Sequence, residues 1–223
     1  MTSEELIETL RGLDTACLCD AEKALHLGLR VISPDLTPLR RGLKLVGRAH
    51  TVRCHDDFLT VIKALRDAAA GEVIVIDSCG STRALTGELF PTESMRKGIA
   101  GIVNDGPCRD TALVRSMEIP YYARAVTCVP GFTETLGETQ IVVECGGVQV
   151  APGEIVVGDD DGILVGSDEE FEQLIPIAKE VQRQEDVLLQ RMAAGESLLN
   201  MLNFDEHCRK LAAGEPTKLE FRT

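Results

Sequence analysis

Residues 71–110 read GEVIVIDSCGSTRALTGELFPTESMRKGIAGIVNDGPCRD, and this stretch decides the fold. VIVID at 73–77 is a continuous apolar run of strand length, as expected of a strand covered on both faces. The Gly/Ser-rich turn SCGST follows it. Residues 91–97 read as a helix, with Pro91 tolerated in its first turn, and IAGIVN at 99–104 as the next buried strand. Asp110 opens another short helix, and YYARAV at 121–126 is a further strand. Short apolar strands alternating with helices predict an α/β sheet with parallel members.

Upstream, KLVGRAHTVRC reads as a strand, and Phe58, Val61, Ile62, Leu65 and Ala69 repeat at helical spacing until Gly71 ends that helix. Two helices come earlier. One is capped at Ser3 with Glu4 and Glu5 in its first turn; the other runs from Thr15 to Leu27 and stops near Gly28. The proline-rich SPDLTPLRRG is a loop. Downstream of Pro130, IVVEC, GVQV, EIVVG and GILVG follow one another with tight glycine turns and no room for helices. This half is therefore β-rich and antiparallel in part. Asp168 to Gly195 is one long helix, with Phe171, Leu174, Ile175, Ala178, Val181, Leu188 and Leu189 as its apolar stripe. A polar, amphipathic tail begins at Phe204. No linker, repeat or low-complexity segment divides the chain, which predicts a single domain over 1–223 with its core at about 13–200.

Glu88 sits in a glycine-led turn, and twenty residues separate it from the pair Arg109 and Asp110. A helix-plus-strand excursion returns the chain to the same edge of a sheet, so two carboxylates and a guanidinium can meet at one rim. Open α/β sheets bind ligands at the carboxyl ends of their strands, which is where 73–77 and 99–104 both empty. Carboxylate oxygens suit a hard divalent cation, and Mg²⁺ is commonly held by one or two of them plus water. Arginine suits a substrate carboxylate or a developing oxyanion. Metal-assisted chemistry on a small anionic substrate is the expectation. The competing possibility makes Arg109 and Asp110 a surface pair, with Asp110 only a helix cap.

This segment resembles the signature of the RraA-like family, which includes class II pyruvate aldolases acting on 4-hydroxy-4-methyl-2-oxoglutarate and 4-carboxy-4-hydroxy-2-oxoadipate. Their acidic residue, twenty intervening residues and Arg-Asp fall here on Glu88, Arg109 and Asp110. Asp20-Ala21, Val46-Gly47-Arg48-Ala49 with Thr51-Val52, and Gly71-Glu72-Val73 also fit. So do Gly146-Gly147-Val148, Ala151-Pro152-Gly153-Glu154 and Asp159-Asp160-Asp161-Gly162, in order over roughly residues 13–200. The resemblance implies a layered β/β/α swivelling-type fold, assembled as a homotrimer or a hexamer. It implies Mg²⁺ or Mn²⁺ bound directly by Asp110 and through water by Glu88, with Glu185 reaching the metal site of a neighbouring subunit. It further implies that Arg109, the Gly87 turn and the amides of Leu89 and Phe90 bind a 2-oxo acid. The activity implied is retro-aldol cleavage yielding pyruvate, or oxaloacetate decarboxylation. The alternative within the family is a non-enzymatic regulator that binds a ribonuclease or helicase. One departure stands out: Leu113 occupies a position where relatives often carry an acidic residue, which bears on substrate identity.

Composition narrows the remaining classes. Hydrophobic residues are 44% and charged ones 26%, an ordinary globular balance. The net charge of −13 and the lack of any basic run argue against a nucleic-acid surface. MTSEELIETL lacks the basic and apolar regions of a secretory signal, and no apolar run reaches bilayer length, so no membrane partner and a cytoplasmic location are expected. The eight cysteines form no CxxC pair and read as reduced thiols, with Cys79 and Cys108 lining a pocket. Cys54, His55, Asp56 and Asp57 read as a structural helix start rather than a metal cluster. Asp159-Asp160-Asp161-Gly162 reads as a hairpin turn with Gly162 at positive φ, not a calcium loop. His26, His50 and His207 make no nucleophile–base pair. The motif suggests no Schiff-base lysine, and no glycine-rich nucleotide loop supports a methyltransferase.

Overall fold

The computed structural model describes residues 1–221. Its elements in chain order begin with α1 (Ser3–Arg11), α2 (Thr15–Leu25), β1 (Arg30–Val31), β2 (Thr37–Pro38), β3 (Leu45–Arg53), α3 (Leu59–Asp67) and β4 (Glu72–Asp77). Then come α4 (Leu89–Lys97), β5 (Gly101–Cys108), α5 (Thr111–Val114), β6 (Tyr121–Val126) and β7 (Glu138–Thr139). The chain finishes with β8 (Val143–Cys145), β9 (Val148–Val150), β10 (Ile155–Gly158), β11 (Ile163–Gly166), α6 (Asp168–Ala193), a 3₁₀ turn at Leu198–Met201 and α7 (Phe204–Ala212).

The main sheet runs β1-β11-β10-β3-β4-β5-β6-β2, with β7 pairing to the end of β3. β3, β4, β5 and β6 are mutually parallel, while β10, β11, β1 and β2 join antiparallel. The strict two-residue period then sorts side chains into layers. Ile74, Ile76, Ile102 and Tyr121 face one side, where Val61, Ala64 and Leu65 of α3 meet them. Val46, Ile155, Val157 and Leu164 lie on the same face farther along, under α1, α2 and α6. Val73, Val75, Val103 and Tyr122 face the other side, against Val143, Cys145 and Val150 of the β8–β9 hairpin. The result is a β/β/α stack, as expected. Each such aliphatic side chain contributes about 1.5–3 kcal/mol by burial, and a one-residue slip would exchange the two faces, so register is firmly set.

Several boundaries differ from the sequence reading, each for a local reason. Thr2, not Ser3, caps α1, because its hydroxyl accepts from the Glu5 N–H while Glu5 returns a bond in a capping box. α2 ends at Leu25 because His26 takes the left-handed conformation, φ 55°, ahead of Gly28. α4 starts at Leu89, and β5 runs from 101 to 108, its polar NDGPC end pairing with β6 past a register shift between Asn104 and Pro107. The Asp159 turn joins β10 to β11, but Gly162 is not at positive φ. There Asp159 instead accepts from the Thr15 N–H at 2.8 Å and hydroxyl at 2.6 Å and pairs with Lys44, tying the turn to the start of α2. Leu189 of the α6 stripe faces out at 62% exposure. Among the described residues no helix is long and apolar enough to cross a membrane.

Candidate active site

The two halves of the Glu88–Arg109–Asp110 constellation meet because residues 84–86 run beside the end of β5. Leu85 N–H donates to the Pro107 carbonyl at 3.1 Å, and Arg109 N–H donates to that of Thr86 at 3.0 Å. On the other side, Thr127 N–H donates to Cys108 O at 3.0 Å, which anchors the β5 end to the β6 side. The contact culminates at Gly87. A Cβ built there would lie 2.3 Å from Asp110 Oδ2 and 3.2 Å from Arg109 Cγ and Nε, so only glycine lets the turn approach the pair this closely.

Asp110 is the unusual residue at this rim. Its backbone is left-handed, φ 57° and ψ 29°, and although it occupies the N-cap position of α5 its side chain makes no capping bond. Asp110 is therefore not merely a helix cap. Its carboxylate lies 3.2 Å from Arg109 Nε, and the two side chains are 37% and 44% exposed, so the pair faces solvent and adds little to stability. Glu88 is half-buried at the N-cap of α4, also without a capping bond. The carboxylates of Asp110 and Glu88 thus serve no helix end, and that of Asp110 lies beside the Arg109 guanidinium.

The α4 start differs in detail from the expected pair of anion-binding amides. Phe90 N–H is directed to the Gly87 carbonyl at 3.2 Å, whereas Leu89 N–H has no acceptor among the described residues. The Leu89 side chain is 72% exposed, and the Phe90 ring meets Phe58 edge-on at 6.0 Å, which pins the helix start. Glu185 lies on α6 and accepts from Cys17 Sγ at 3.6 Å, so its contact is with α2 and not with the rim of its own chain. Among the described residues no group of three or more His, Cys, Asp or Glu converges as a metal cage. Asp110 and Glu88 nonetheless offer what a hard cation asks for, oxygen donors with solvent access.

Behind the rim lies a buried polar group that the sequence reading did not name. Thr86 Oγ1 shares a hydrogen bond with Tyr121 OH, and Asn104 Nδ2 donates to Thr86 Oγ1 at 3.3 Å and to Pro107 O at 3.1 Å. All three side chains are buried, so they fix the segment that carries Gly87 to the strand that carries Arg109. The available signal was a lone asparagine ending the apolar run IAGIVN. Cys108 belongs to this packing and not to a pocket wall, and burial raises its thiol to about 11. Cys79 does line a cleft of about 420 Å³ with Asp77, Ser78, Asp105 and Arg124. There Asp77 accepts from Arg53 Nε and from the Cys79 and Glu144 amides, while Asp105 pairs with Arg124 and accepts from Gly146 N–H at 2.6 Å. Those bonds fasten the β8–β9 hairpin to the strand ends.

The remaining candidates are structural. Asp56 accepts from Ser81 Oγ and the Thr82 and Arg83 amides, and Asp57 from the amides of Leu59, Glu134 and Thr135. His50 pairs with Glu72 at 3.0 Å, His207 meets Thr217 at 3.1 Å, His55 lies beside Asp56, and His26 ends α2. With those four the histidines are accounted for, and none stands at the rim.

Residues 15–165 match the RraA-like family, described as Aldolase/RraA. A Halalkalibacterium halodurans protein provisionally named 4-hydroxy-4-methyl-2-oxoglutarate aldolase is 33% identical over 184 residues, 82% of this chain and 86% of that one. The Thermus thermophilus 4-hydroxy-4-methyl-2-oxoglutarate aldolase is 36% identical over 123 residues, 55% and 75% of the two chains. The structure of Streptomyces coelicolor RraAS2, described as an unusual member of the RNase ES inhibitor RraA protein family, superposes with TM-score 0.73 at 27% identity. The match covers 86% of this chain and 100% of the Streptomyces one. With the family match over residues 15–165 and a 33% identical relative covered across most of both chains, the chain belongs to the RraA-like family.

Proposed function

We propose that this chain is a divalent-metal-dependent aldolase that cleaves a 4-hydroxy-2-oxo acid to pyruvate and a second carbonyl compound, with oxaloacetate decarboxylation as a related activity. The observation that carries the reading is Asp110, held left-handed against Gly87 with a carboxylate that caps nothing. Such a backbone costs on the order of 1 kcal/mol and persists where its surroundings over-determine it, often at functional sites.

Asp110 would hold Mg²⁺ or Mn²⁺ directly and Glu88 through water, with Glu185 of a neighbouring subunit as a further ligand in a trimer or hexamer. When bound, the cation supplies Lewis-acid charge beside the reacting oxygens. Arg109 orients the 2-oxo acid through the directed N–H groups of its guanidinium, and the unpaired Leu89 N–H offers a donor to the substrate carboxylate. As the C3–C4 bond breaks, its electron pair moves onto the 2-oxo half and the 4-hydroxyl oxygen becomes a carbonyl. Arg109 meets the negative charge that develops on the resulting enolate oxygen. With no histidine at the rim, water beside the Asp110 and Glu88 carboxylates would take up the 4-hydroxyl proton and return one to C3, which converts the enolate to pyruvate.

The test is pyruvate release, coupled to NADH oxidation by lactate dehydrogenase, from a panel of 4-hydroxy-2-oxo acids and oxaloacetate. Turnover that disappears with EDTA and returns with Mg²⁺ or Mn²⁺ supports the reading; no turnover on any member counts against it. The likeness to the Streptomyces member of the RNase ES inhibitor family favours one second reading, a regulator that binds a ribonuclease. Binding of such a partner would then survive Asp110→Ala, because surface recognition does not use a cation ligand.

A further inference from the structure

Asn104, behind the rim, carries an oxygen that the fold leaves unused. The side chain is fully buried, and its Nδ2 donates to Pro107 O at 3.1 Å and to Thr86 Oγ1 at 3.3 Å. A carbonyl only accepts, so the amide has one orientation, and its Oδ1 is buried without a partner among the described residues. That oxygen faces Gly106: a Cβ there would stand 3.2 Å from Asn104 Oδ1 and 2.9 Å from Ser78 Oγ. Gly106 and Ser78 both belong to the wall of the cleft of about 420 Å³ that Cys79 lines. Glycine at 106 therefore leaves the unused acceptor beside the cleft, where any larger residue would fill the gap.

The cleft adjoins the Gly87–Asp110 rim. Pro107 lines it and accepts from Leu85 N–H, and two residues farther along each segment stand Arg109 and Gly87. At an extended rise that is about 7 Å, within reach of a six-carbon substrate. Thr86 and Cys108 are bridge partners buried toward Tyr121, so alternation turns Gly87 and Arg109 to the opposite face. Asp77 and Asp105 lie on that face too, where they accept from the Glu144 and Gly146 amides of the hairpin. Glu144 is exposed, and its carboxylate has no partner among the described residues. Arg124, the one cation of the lining among those residues, already pairs with Asp105 and Asp35. A second carboxylate on the substrate would face Glu144 uncompensated, whereas hydroxyl groups can donate to Glu144, Ser78 Oγ and Asn104 Oδ1. We propose, resting on the aldolase reading above, that the cleft holds the substrate beyond C4 and selects a hydroxylated tail without a second carboxylate, as in a 2-oxo-3-deoxy sugar acid. Its C3–C4 bond breaks, and the C4 hydroxyl gives up its proton and becomes the aldehyde. The electron pair leaves on pyruvate enolate, which takes a proton at C3.

The experiment compares kcat and KM for 2-oxo-3-deoxygluconate, 4-hydroxy-4-methyl-2-oxoglutarate and 4-hydroxy-2-oxopentanoate in the wild type and Glu144→Arg. Their tails are, in turn, hydroxylated, carboxylated and a bare methyl group. The wild type should prefer the sugar acid over the dicarboxylate in kcat/KM by about tenfold or more, the scale of one hydrogen bond to a charged group. Glu144→Arg should raise KM for the sugar acid about tenfold with kcat little changed, and lower KM for the dicarboxylate, because a tail contact acts equally in ground and transition states. Both proteins should turn over the methyl-tailed acid alike, since it reaches no cleft group and Glu144 is exposed. A wild type that prefers the dicarboxylate, or a Glu144→Arg variant with an unchanged ratio between the two substrates, would overturn this assignment and leave the aldolase reading standing. Pyruvate release from none of the three would remove both.

Discussion

A Gly87→Ala substitution adds one carbon that would stand 2.3 Å from Asp110 Oδ2 and 3.2 Å from Arg109 Cγ and Nε. Ordinary contacts begin near 3.4 Å, so the Asp110 carboxylate has to retreat by about 1 Å, and the Arg109 stem by a few tenths. Misplacing a catalytic group by about 1 Å can cost on the order of 10²-fold. The expected result is therefore a fall in kcat/KM of roughly 100-fold, or about 2.7 kcal/mol of transition-state stabilisation. The fold should not suffer. Gly87 is outside the left-handed region, so alanine can adopt its backbone, and a compatible Gly→Ala change typically stabilises by about 0.4–1 kcal/mol through the unfolded chain. The assay is steady-state pyruvate release beside a thermal melt. Activity within about threefold of wild type would refute the claim that this contact positions Asp110. A collapsed melting point would show that the glycine serves the fold instead.

Arg109→Lys keeps the charge but loses the planar fork, so kcat should fall about 10²–10³-fold. Oxalate, a planar mimic of pyruvate enolate, should inhibit the wild type well and the lysine variant poorly; equal inhibition constants would remove Arg109 from the chemistry. Thr86→Val removes a partner of the buried Tyr121 hydroxyl and one of the two acceptors of the Asn104 amide, and urea unfolding should register a loss of about 1–3 kcal/mol. Burial pushes the Asp159 carboxyl up, but the Thr15 donors and Lys44 outweigh it and hold the group below its ordinary 3.8. Because the folded value is the lower one, this stabilisation is present above the ordinary value and is lost as pH falls through the folded value. Asp159→Asn should flatten the acid-side decline in urea midpoint.

The parallel half of the sheet was legible because VIVID, IAGIVN and YYARAV are apolar runs punctuated by glycine turns, and tertiary packing agrees with that local signal. The polar extension of β5 through NDGPC was not legible, since its pairing comes from neighbours distant in sequence, not from its own composition. The same limit applies at the site. The spacing of Glu88, Arg109 and Asp110 pointed to a shared rim, but the left-handed backbone of Asp110 and the contact at Gly87 exist only once residues 84–86 lie beside β5. The Thr86–Asn104–Tyr121 group was missed because its members are ordinary residue types in three separate segments. Gly162 misled because a hairpin turn does not require positive φ at every glycine within it.

The proposed chemistry rests on Asp110 holding the cation that turnover requires. Stripping the protein with EDTA and following pyruvate release, as Mg²⁺ or Mn²⁺ is returned to the wild type and to Asp110→Asn, tests this without an intermediate step. Asparagine tolerates the left-handed backbone and keeps the shape of aspartate, so its stability should stay within about 1 kcal/mol of wild type. The wild type should recover saturably, and the folded variant should not recover at the same metal concentrations. Equal recovery by both proteins, or wild-type turnover that never required the metal, would contradict this role for Asp110.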